Sequence, residues 1–519
     1  MIYLLPHTIT HAATRFPDRE AFRCGDKSLT FKEIAVKMNQ LAALLHHLNI
    51  QKGDRIGIYL NRSIEAAIAI HGIMHAGAVY VPLDPKAPIR RTQYLIKDCG
   101  IKILITNHSQ RRNVKNIVAD GTALDAIIGI SQAENIPTFA WEKLEEFPSD
   151  FRPPFPILEN DLAYIMYTSG STGQPKGIMH THASGLAYAR LTADLYQLNE
   201  QDRIGTHAPI YFDISTLGFF TAPLVGACSV IVTDAHTVLP ASLSQLIDRE
   251  KLTVWYSVPL AMIQMLQAGT LTPQGASALR WVLYGGEAFP PKYLRELMAL
   301  WSNATFSNVY GPAEVNQCTY FNFTNLPTGT TSIPLGQVWK NTEGIVLDEN
   351  DEEVKQGEGV LCIRSATMMK GYWQQPELTE RSFYRRKNNT HTYDTFYRTG
   401  DLVKIDEWGV LHFLGRIDHQ VKIRGYRVEL SAVEVALVAH AAVSEAAVFP
   451  IRKKETALHI EAAVILQPSV TTSTSELLIH LKEKLPTYAV PEKITIVDTF
   501  PRTGSGKVKR SKLIELLYS

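Results

Sequence analysis

The sequence predicts an α/β protein: a large N-terminal lobe of parallel and mixed sheets covered by helices and carrying a β subdomain, then a small α+β C-terminal domain. Three observations predict it. Apolar periodicity alternates between helical and extended from Leu29 to roughly Val232. Short alternating runs split by Gly and Asp follow, over about 330–416. The last hundred residues then return to mixed helical and extended patterns. A chain of 519 residues is long enough for roughly three domains of about 150 each.

The elements follow in order. Phe31 to Leu45 carries apolar residues at helical spacing, and Asp54-Arg-Ile-Gly-Ile-Tyr-Leu60 reads as a strand. The pair repeats: Ala66 to Ala76 is helical, Val79-Tyr-Val81 extended, Arg90 to Asp98 helical and Ile101 to Thr106 extended. Strands joined through crossover helices predict parallel sheets covered on both faces. Leu361-Cys-Ile-Arg364, Leu402-Val-Lys-Ile405 and Val410 to Leu414 predict the antiparallel β subdomain. Arg385 to Asp394 has no apolar face and reads as a solvated surface loop. Beyond a boundary at Arg416 to Gln420 come a helix over Val433 to His440, strands at Val443 to Phe449 and Ala462 to Leu466, and a helix over Leu477 to Leu485. Ser473, with Glu476 three residues later, predicts a capping box on that last helix.

Composition excludes several classes. The 52 Lys+Arg against 51 Asp+Glu leave a net charge of +1, without the basic excess of a nucleic-acid surface. The five cysteines, Cys24, Cys99, Cys228, Cys318 and Cys362, are odd in number and never form C-x-x-C, which argues against a disulfide framework or a zinc knuckle. The apolar stretch Ala66 to Leu83 is interrupted by His71 and His75 and falls short of a membrane span, and the N-terminus has no basic region of a signal peptide. No membrane partner is expected, and the expected location is the cytoplasm.

The most informative segment is Ala163-Tyr-Ile-Met-Tyr-Thr-Ser-Gly-Ser-Thr-Gly-Gln-Pro-Lys-Gly177, an extended apolar run that ends in small and hydroxylated residues. Glycines let backbone N–H groups turn toward a phosphate, hydroxyls add donors, and Lys176 adds positive charge. The alternative is a flexible Gly/Ser turn. G-x-x-x-x-G-K-[ST] cannot be laid on it, because Lys176 follows Pro175 and precedes Gly177. A second near-miss, Thr503-Gly-Ser-Gly-Lys-Val-Lys-Arg510, lacks the upstream glycine and has Val508 where the magnesium-binding hydroxyl would be.

With these segments the chain resembles the adenylate-forming enzymes, which include acyl-CoA synthetases, luciferases and the adenylation domains of nonribosomal peptide synthetases. The likeness runs in family order from Leu29-Thr-Phe-Lys-Glu33 through Ala76-Gly-Ala-Val-Tyr-Val-Pro-Leu-Asp84, the glycine loop, Phe212-Asp213 and Asn308-Val-Tyr-Gly-Pro-Ala-Glu314. It continues through Tyr397-Arg-Thr-Gly-Asp-Leu402, Gly415 to Glu429, Leu485 to Pro491 and Thr503 to Lys507. The style is that of amino-acid adenylation domains.

The resemblance implies two half-reactions: ATP and a carboxylate give an acyl-adenylate and pyrophosphate, and a phosphopantetheine thiol then takes the acyl group. Two anions meet in the first step, so positive charge and donors are needed around the α-phosphate. Lys507 matches the catalytic lysine, and Glu314 the magnesium ligand, so ATP and Mg2+ are the implied cofactors. Thr168, Ser169, Gly170, Ser171, Thr172, Gly173 and Lys176 match the phosphate loop. Asp401 matches the ribose-binding carboxylate, with Arg416 and Phe413 nearby, and Tyr310 the aromatic that stacks on adenine, with Gly286, Glu287 and Asn308 beside it. Ala313 departs from the family, which has Thr there. The family's small domain is mobile between half-reactions, which implies domains 1–416 and 417–519 with a hinge at Asp418, and Gly425 matches the loop lining the pantetheine tunnel.

Asp213 matches the residue that pairs with the substrate's α-amino group; a carboxylate in an apolar pocket needs a cation, whereas an Asp after an aromatic can also cap a helix. The positions matching the family's substrate pocket are Asp213, Ile214, Leu217, Tyr256, Leu283, Gly285, Val309, Gln317 and Cys318, closed by Lys507. This lining resembles that of proline-activating members, except for Gly285 in place of Ala and Gln317 in place of Val. Proline, a substituted proline or a small aliphatic amino acid is the expected substrate. No Gly-Gly-x-Ser attachment site follows Lys507, so the expected partner is a free-standing carrier protein with a phosphopantetheine arm, in secondary metabolism. An acyl-CoA ligase and a non-catalytic nucleotide-binding scaffold are the competing readings.

Overall fold

Two mostly parallel sheets and one antiparallel sheet build the first of two units into which the chain groups, Met1–Pro85 with Ile96–Tyr167 and Gly177–Ile417. The computed structural model describes all residues except 120, 134, 171–173, 273–274, 390, 418–419, 454–456, 469, 503–507 and 519. An eight-stranded sheet runs in the order Gly371–Tyr372, Lys176–Thr181, Leu162–Thr168, Val79–Pro82, Arg55–Ile58, Ile103–Ile105, Ala126–Ile128, Thr138–Phe139. Its inner pairs are parallel, with Ile56 opposite both Tyr80 and Ile103. The helix Phe31–His47 leads into this sheet from a nine-stranded one, and Ile64–His75 is the crossover between the parallel strands Arg55–Ile58 and Val79–Pro82. Thr30 and Glu33 form a capping box on the first. The second is apolar almost all round and buried accordingly. Gly72 lets the two approach, since a Cβ there would come within 2.6 Å of Leu41.

A nine-stranded sheet has a parallel centre, Thr305–Tyr310, Trp281–Gly285, Val254–Ser257, Arg203–Thr206, Cys228–Ile231 and Glu20–Cys24. Its edges are antiparallel: Thr319–Phe323 and Gln337–Val338 on one side, Lys27–Thr30 on the other. The predicted β subdomain is an antiparallel sheet of Thr342–Leu347, Gly357–Ser365, Tyr393–Ile405, Phe383–Lys387 and Leu411–Arg416. The expected surface loop at 385–394 is corrected here. Arg385–Lys387 pairs with Tyr393–Thr395 in a hairpin, and its cations are paired: Arg386 reaches Glu343 at 2.7 Å and Asp394 at 3.0 Å. The pair Arg386–Asp394 across the hairpin, with Arg386 also reaching Glu343 on the strand Thr342–Leu347, stands where the sequence lacks an apolar face.

The second unit comprises Lys86–Leu95, Thr168–Lys176 and Asp418–Ser519. The sequence puts both short segments in the large lobe; in the structure they group with the C-terminal residues, and Ser169 Oγ donates to the Arg427 carbonyl at 2.8 Å. Three strands, Val443–Lys453, Ala457–Leu466 and Lys493–Ile496, carry the helices Leu430–Val438 and Thr474–Lys484 over a core that includes Val448, Ala462, Leu477 and Leu481. The capping box of Ser473 and Glu476 is present on the second helix. The hairpin Gln420–Ile423 and Tyr426–Glu429 turns through Arg424 and Gly425, both at positive φ (53° and 83°), the two-residue turn whose twist matches paired strands. Among the described residues no helix is long and apolar enough to cross a membrane.

Candidate functional site

Ligands of open α/β sheets gather beyond the carboxyl ends of the parallel strands, and the expected site residues of the first unit collect there. Gly286 follows the strand Trp281–Gly285 in a turn at φ +92°, with Glu287 next. Asn308 and Tyr310 end the strand Thr305–Tyr310, and Asn308 Nδ2 is tied to the Pro334 carbonyl at 2.7 Å.

The Tyr310 hydroxyl donates to Asp401 Oδ2. Arg416 Nη1 lies 2.7 Å from the other carboxylate oxygen, and Asp401 and Arg416 face each other across paired strands. The Asp401 amide donates to Thr399 Oγ1, which in turn donates to the Leu361 carbonyl, so the loop that presents the carboxylate is fixed from behind. Burial and the Asp401 charge push the Tyr310 phenol well above its ordinary pKa, so it stays a proton donor. Phe413, on the same strand as Arg416, is 47% exposed, a large apolar surface that a nucleotide base could cover. Asp401 keeps a second lone pair on each oxygen, the acceptor geometry that two vicinal hydroxyls need.

Glu314 is fully buried, and the Tyr372 hydroxyl donates to its Oε1 at 2.8 Å. The preceding residue, Ala313, lacks the hydroxyl the family has, but its carbonyl is 2.9 Å from His180 Nε2. Burial holds His180 down to about 4, partly opposed by that carbonyl and by Glu314, so the ring is neutral at pH 7 and Nε2 carries the proton. Among the described residues there is no group of three or more His, Cys, Asp or Glu able to hold a metal ion. One carboxylate such as Glu314 suits Mg2+, which takes one or two protein oxygens and completes its shell with water and phosphate.

In the second unit, Thr168 Oγ1 is buried without a hydrogen-bond partner among the described residues. An orphan hydroxyl at the mouth of a glycine loop fits a donor held ready for a phosphate oxygen. Gly170 is required by close packing, since a Cβ there would lie 2.2 Å from the Gln174 carbonyl. Lys176 is buried at 9% exposure, and the Ser169 hydroxyl is engaged by Arg427. Ser171, Thr172, Gly173, Asp418 and Lys507 lie outside the described residues.

The expected amino-acid pocket is built on neighbouring strands of the nine-stranded sheet. Tyr256 pairs with Leu283, and Gly285 with Val309. Ile214, Leu217, Tyr256, Leu283 and Val309 share one apolar cluster with Tyr188 and Trp339. Cys318 packs in the adjoining cluster with Ile178, Tyr310 and Val315, its Sγ directed at the Tyr310 carbonyl. Gln317 Nε2 donates to Tyr256 Oη at 2.5 Å. Asp213 opens a short 3-10 turn and accepts the Ile214 amide at 2.9 Å, as a capping residue does. It also faces the substrate wall: after burial, its charge helps raise the phenols of Tyr164, Tyr188 and Tyr256, all of which stay neutral. A carboxylate against neutral phenols and aliphatic walls is matched by an incoming cation.

Fold and site together define an AMP-forming ligase, and the chain belongs to the AMP-binding enzyme family, whose description it matches over residues 9–373, with the AMP-binding enzyme C-terminal domain over 432–507. It is 29% identical to an L-proline–(L-prolyl-carrier protein) ligase of Pseudomonas fluorescens, over 98% of both chains. It is 33% identical to the Streptomyces coelicolor enzyme of the same name, over 95% of this chain and 93% of that one. Among solved structures it is similar to a Vibrio cholerae adenylation domain in complex with glycyl-adenosine-5'-phosphate, at TM-score 0.83 and 25% identity over 100% and 98% of the two chains.

Sequence reasoning missed His180, Tyr164, Tyr188, Thr399 and Tyr372. All but Thr399, which holds Asp401 two residues on, act through a partner far along the chain, such as Tyr372 on Glu314, 58 residues away, and no local pattern marks such a pair.

Proposed function

We propose that this chain activates L-proline, or a close analogue of it, as the aminoacyl-adenylate and loads it onto the phosphopantetheine thiol of a separate carrier protein. The observation that carries this reading is Asp213, a carboxylate turned toward buried neutral phenols at the edge of an aliphatic cluster. A fatty or aryl acid carries no cation for this carboxylate to meet; the primary or secondary α-ammonium of an amino acid does. The relatives named as prolyl-carrier protein ligases support proline.

In the first half-reaction a substrate carboxylate oxygen bonds to the α-phosphorus of ATP while the bond to the β-phosphate breaks and pyrophosphate leaves. Asp401 takes the ribose hydroxyls, Tyr310 packs on adenine, and the Thr168 hydroxyl and Lys176 meet phosphate oxygens. Lys507 neutralises the two anions as they approach. Glu314 would hold Mg2+, which supplies charge to the phosphates when bound. In the second half-reaction a thiolate attacks the acyl carbon and AMP departs. On this reading the reaction takes place in the cytoplasm.

Amino-acid-dependent exchange of labelled pyrophosphate into ATP, across the twenty amino acids and substituted prolines, tests the reading. Exchange is expected with proline or a substituted proline, and Asp213→Asn should raise the KM for that amino acid by at least about tenfold. Exchange with a charged or aromatic amino acid alone overturns the substrate. Acyl transfer to CoA and to no phosphopantetheinylated carrier overturns the second half-reaction.

A further inference from the structure

One polar pair stands out on the apolar wall of the amino-acid pocket. Gln317 is 4% exposed and Tyr256 also 4%, and the Gln317 carboxamide donates to the Tyr256 hydroxyl. Tyr256 Oη lies 3.5 Å from where a Cβ on Gly285 would stand, and it feels the Asp213 charge, so the pair borders the space the substrate side chain enters. Gln317 Oε1 is buried with no hydrogen-bond partner among the described residues. The Tyr256 proton is not used in accepting from Gln317, and burial keeps it on the oxygen.

The wall thus presents one acceptor, Gln317 Oε1, and one donor, the Tyr256 O–H, beside each other. A carbonyl would satisfy only the donor, and an ammonium only the acceptor. A hydroxyl satisfies both, accepting from Tyr256 and donating to Gln317. The same holds with the carboxamide turned over: Gln317 N–H then donates to the substrate oxygen and Tyr256 Oη accepts its proton. Buried polar groups left unmatched discriminate strongly against a ligand that lacks the matching group.

We infer that the substrate carries a hydroxyl facing Gln317 and Tyr256, which makes it a hydroxylated proline. This rests on the proposed activation of a proline-type amino acid and deepens it. An enzyme that hydroxylates a proline ring, free or in a peptide, must then supply the substrate.

The test is ATP–pyrophosphate exchange by the full chain with L-proline, cis- and trans-4-hydroxy-L-proline and 3-hydroxy-L-proline. At least one hydroxylated proline should exceed proline in kcat/KM by about tenfold or more. Gln317→Leu, close in volume and unable to hydrogen-bond, should shift that ratio toward proline by about tenfold or more, and Tyr256→Phe should do so without requiring a soluble Gln317 variant. Preference of the wild type for proline over every hydroxylated form overturns the inference and leaves proline activation standing. A ratio unchanged in both variants overturns it equally. Exchange with none of these amino acids overturns it together with the proline-type reading on which it rests.

Discussion

Tyr310→Phe isolates the hold on Asp401, the carboxylate proposed to take the ribose hydroxyls. Phenylalanine keeps the buried ring and the face proposed to meet adenine, and removes only the hydroxyl that donates to Asp401 Oδ2. Arg416 stays at 2.7 Å on the other oxygen, in a pair whose side chains are 13% and 7% exposed. A hydrogen bond to a charged group contributes about 1.5–3 kcal/mol, and with one anchor of two retained the lower figure applies. About 1.5 kcal/mol of lost positioning corresponds to roughly a tenfold weaker nucleotide complex. Pyrophosphate exchange at saturating amino acid and varied ATP should show the KM for ATP raised about tenfold and kcat within about twofold. If Tyr310 acts through Asp401, the double variant Tyr310→Phe/Asp401→Asn should fall close to Asp401→Asn alone. A KM for ATP within about twofold of wild type, or penalties that simply add, would refute the coupling.

Thr168→Val should separate stability from activity: the hydroxyl has no partner among the described residues, so the melting temperature should hold or rise, while adenylate formation falls by about tenfold or more. A melting temperature that drops by several degrees would place the hydroxyl in the structural framework instead. Stability should also decline in mild acid. Burial lowers His71, His182 and His207 to about 3 and His180 to about 4, below the 6.5 of the unfolded chain. Between those values the unfolded state binds more protons, so stability is complete above pH 6.5 and is lost on the way down, by at most about 1.4 kcal/mol per pH unit for each histidine. The depressed carboxylates, such as Asp202 and Glu20, titrate only below about pH 4.5. Urea midpoints that stay flat between pH 7.5 and 5 would contradict the assignment.

Much of this protein is legible in its sequence because the signals are local. The helical period after Thr30, the capping pair of Ser473 and Glu476, and the extended run into the glycine loop all depend on residues within a few positions of each other. The end of the hairpin at 385–394 was not legible, because its charged residues pair with one another and with Glu343 instead of forming an apolar face. Tyr310 and Asp401 are 91 positions apart, and Gln317 and Tyr256 are 61 apart. Tyr310 and Asp401 sit on strands of different sheets and Gln317 lies outside any strand, so both bonds follow from tertiary packing, which the sequence does not state. Thr168 could be assigned to phosphate binding by resemblance, but only the fold shows that its hydroxyl lacks a partner among the described residues.

Gly285 has a consequence for how this pocket can change. A methyl group there would sit 2.4 Å from the Val309 carbonyl oxygen, a backbone atom held in register by the neighbouring strand. Mutation cannot shrink the cavity from that side without moving a central strand. Any drift toward a new amino acid, by natural variation or by selection in the laboratory, is therefore channelled through side chains rather than backbone, and a single codon change at 317, which lies outside the strands, can alter polarity while the sheet stays as it is.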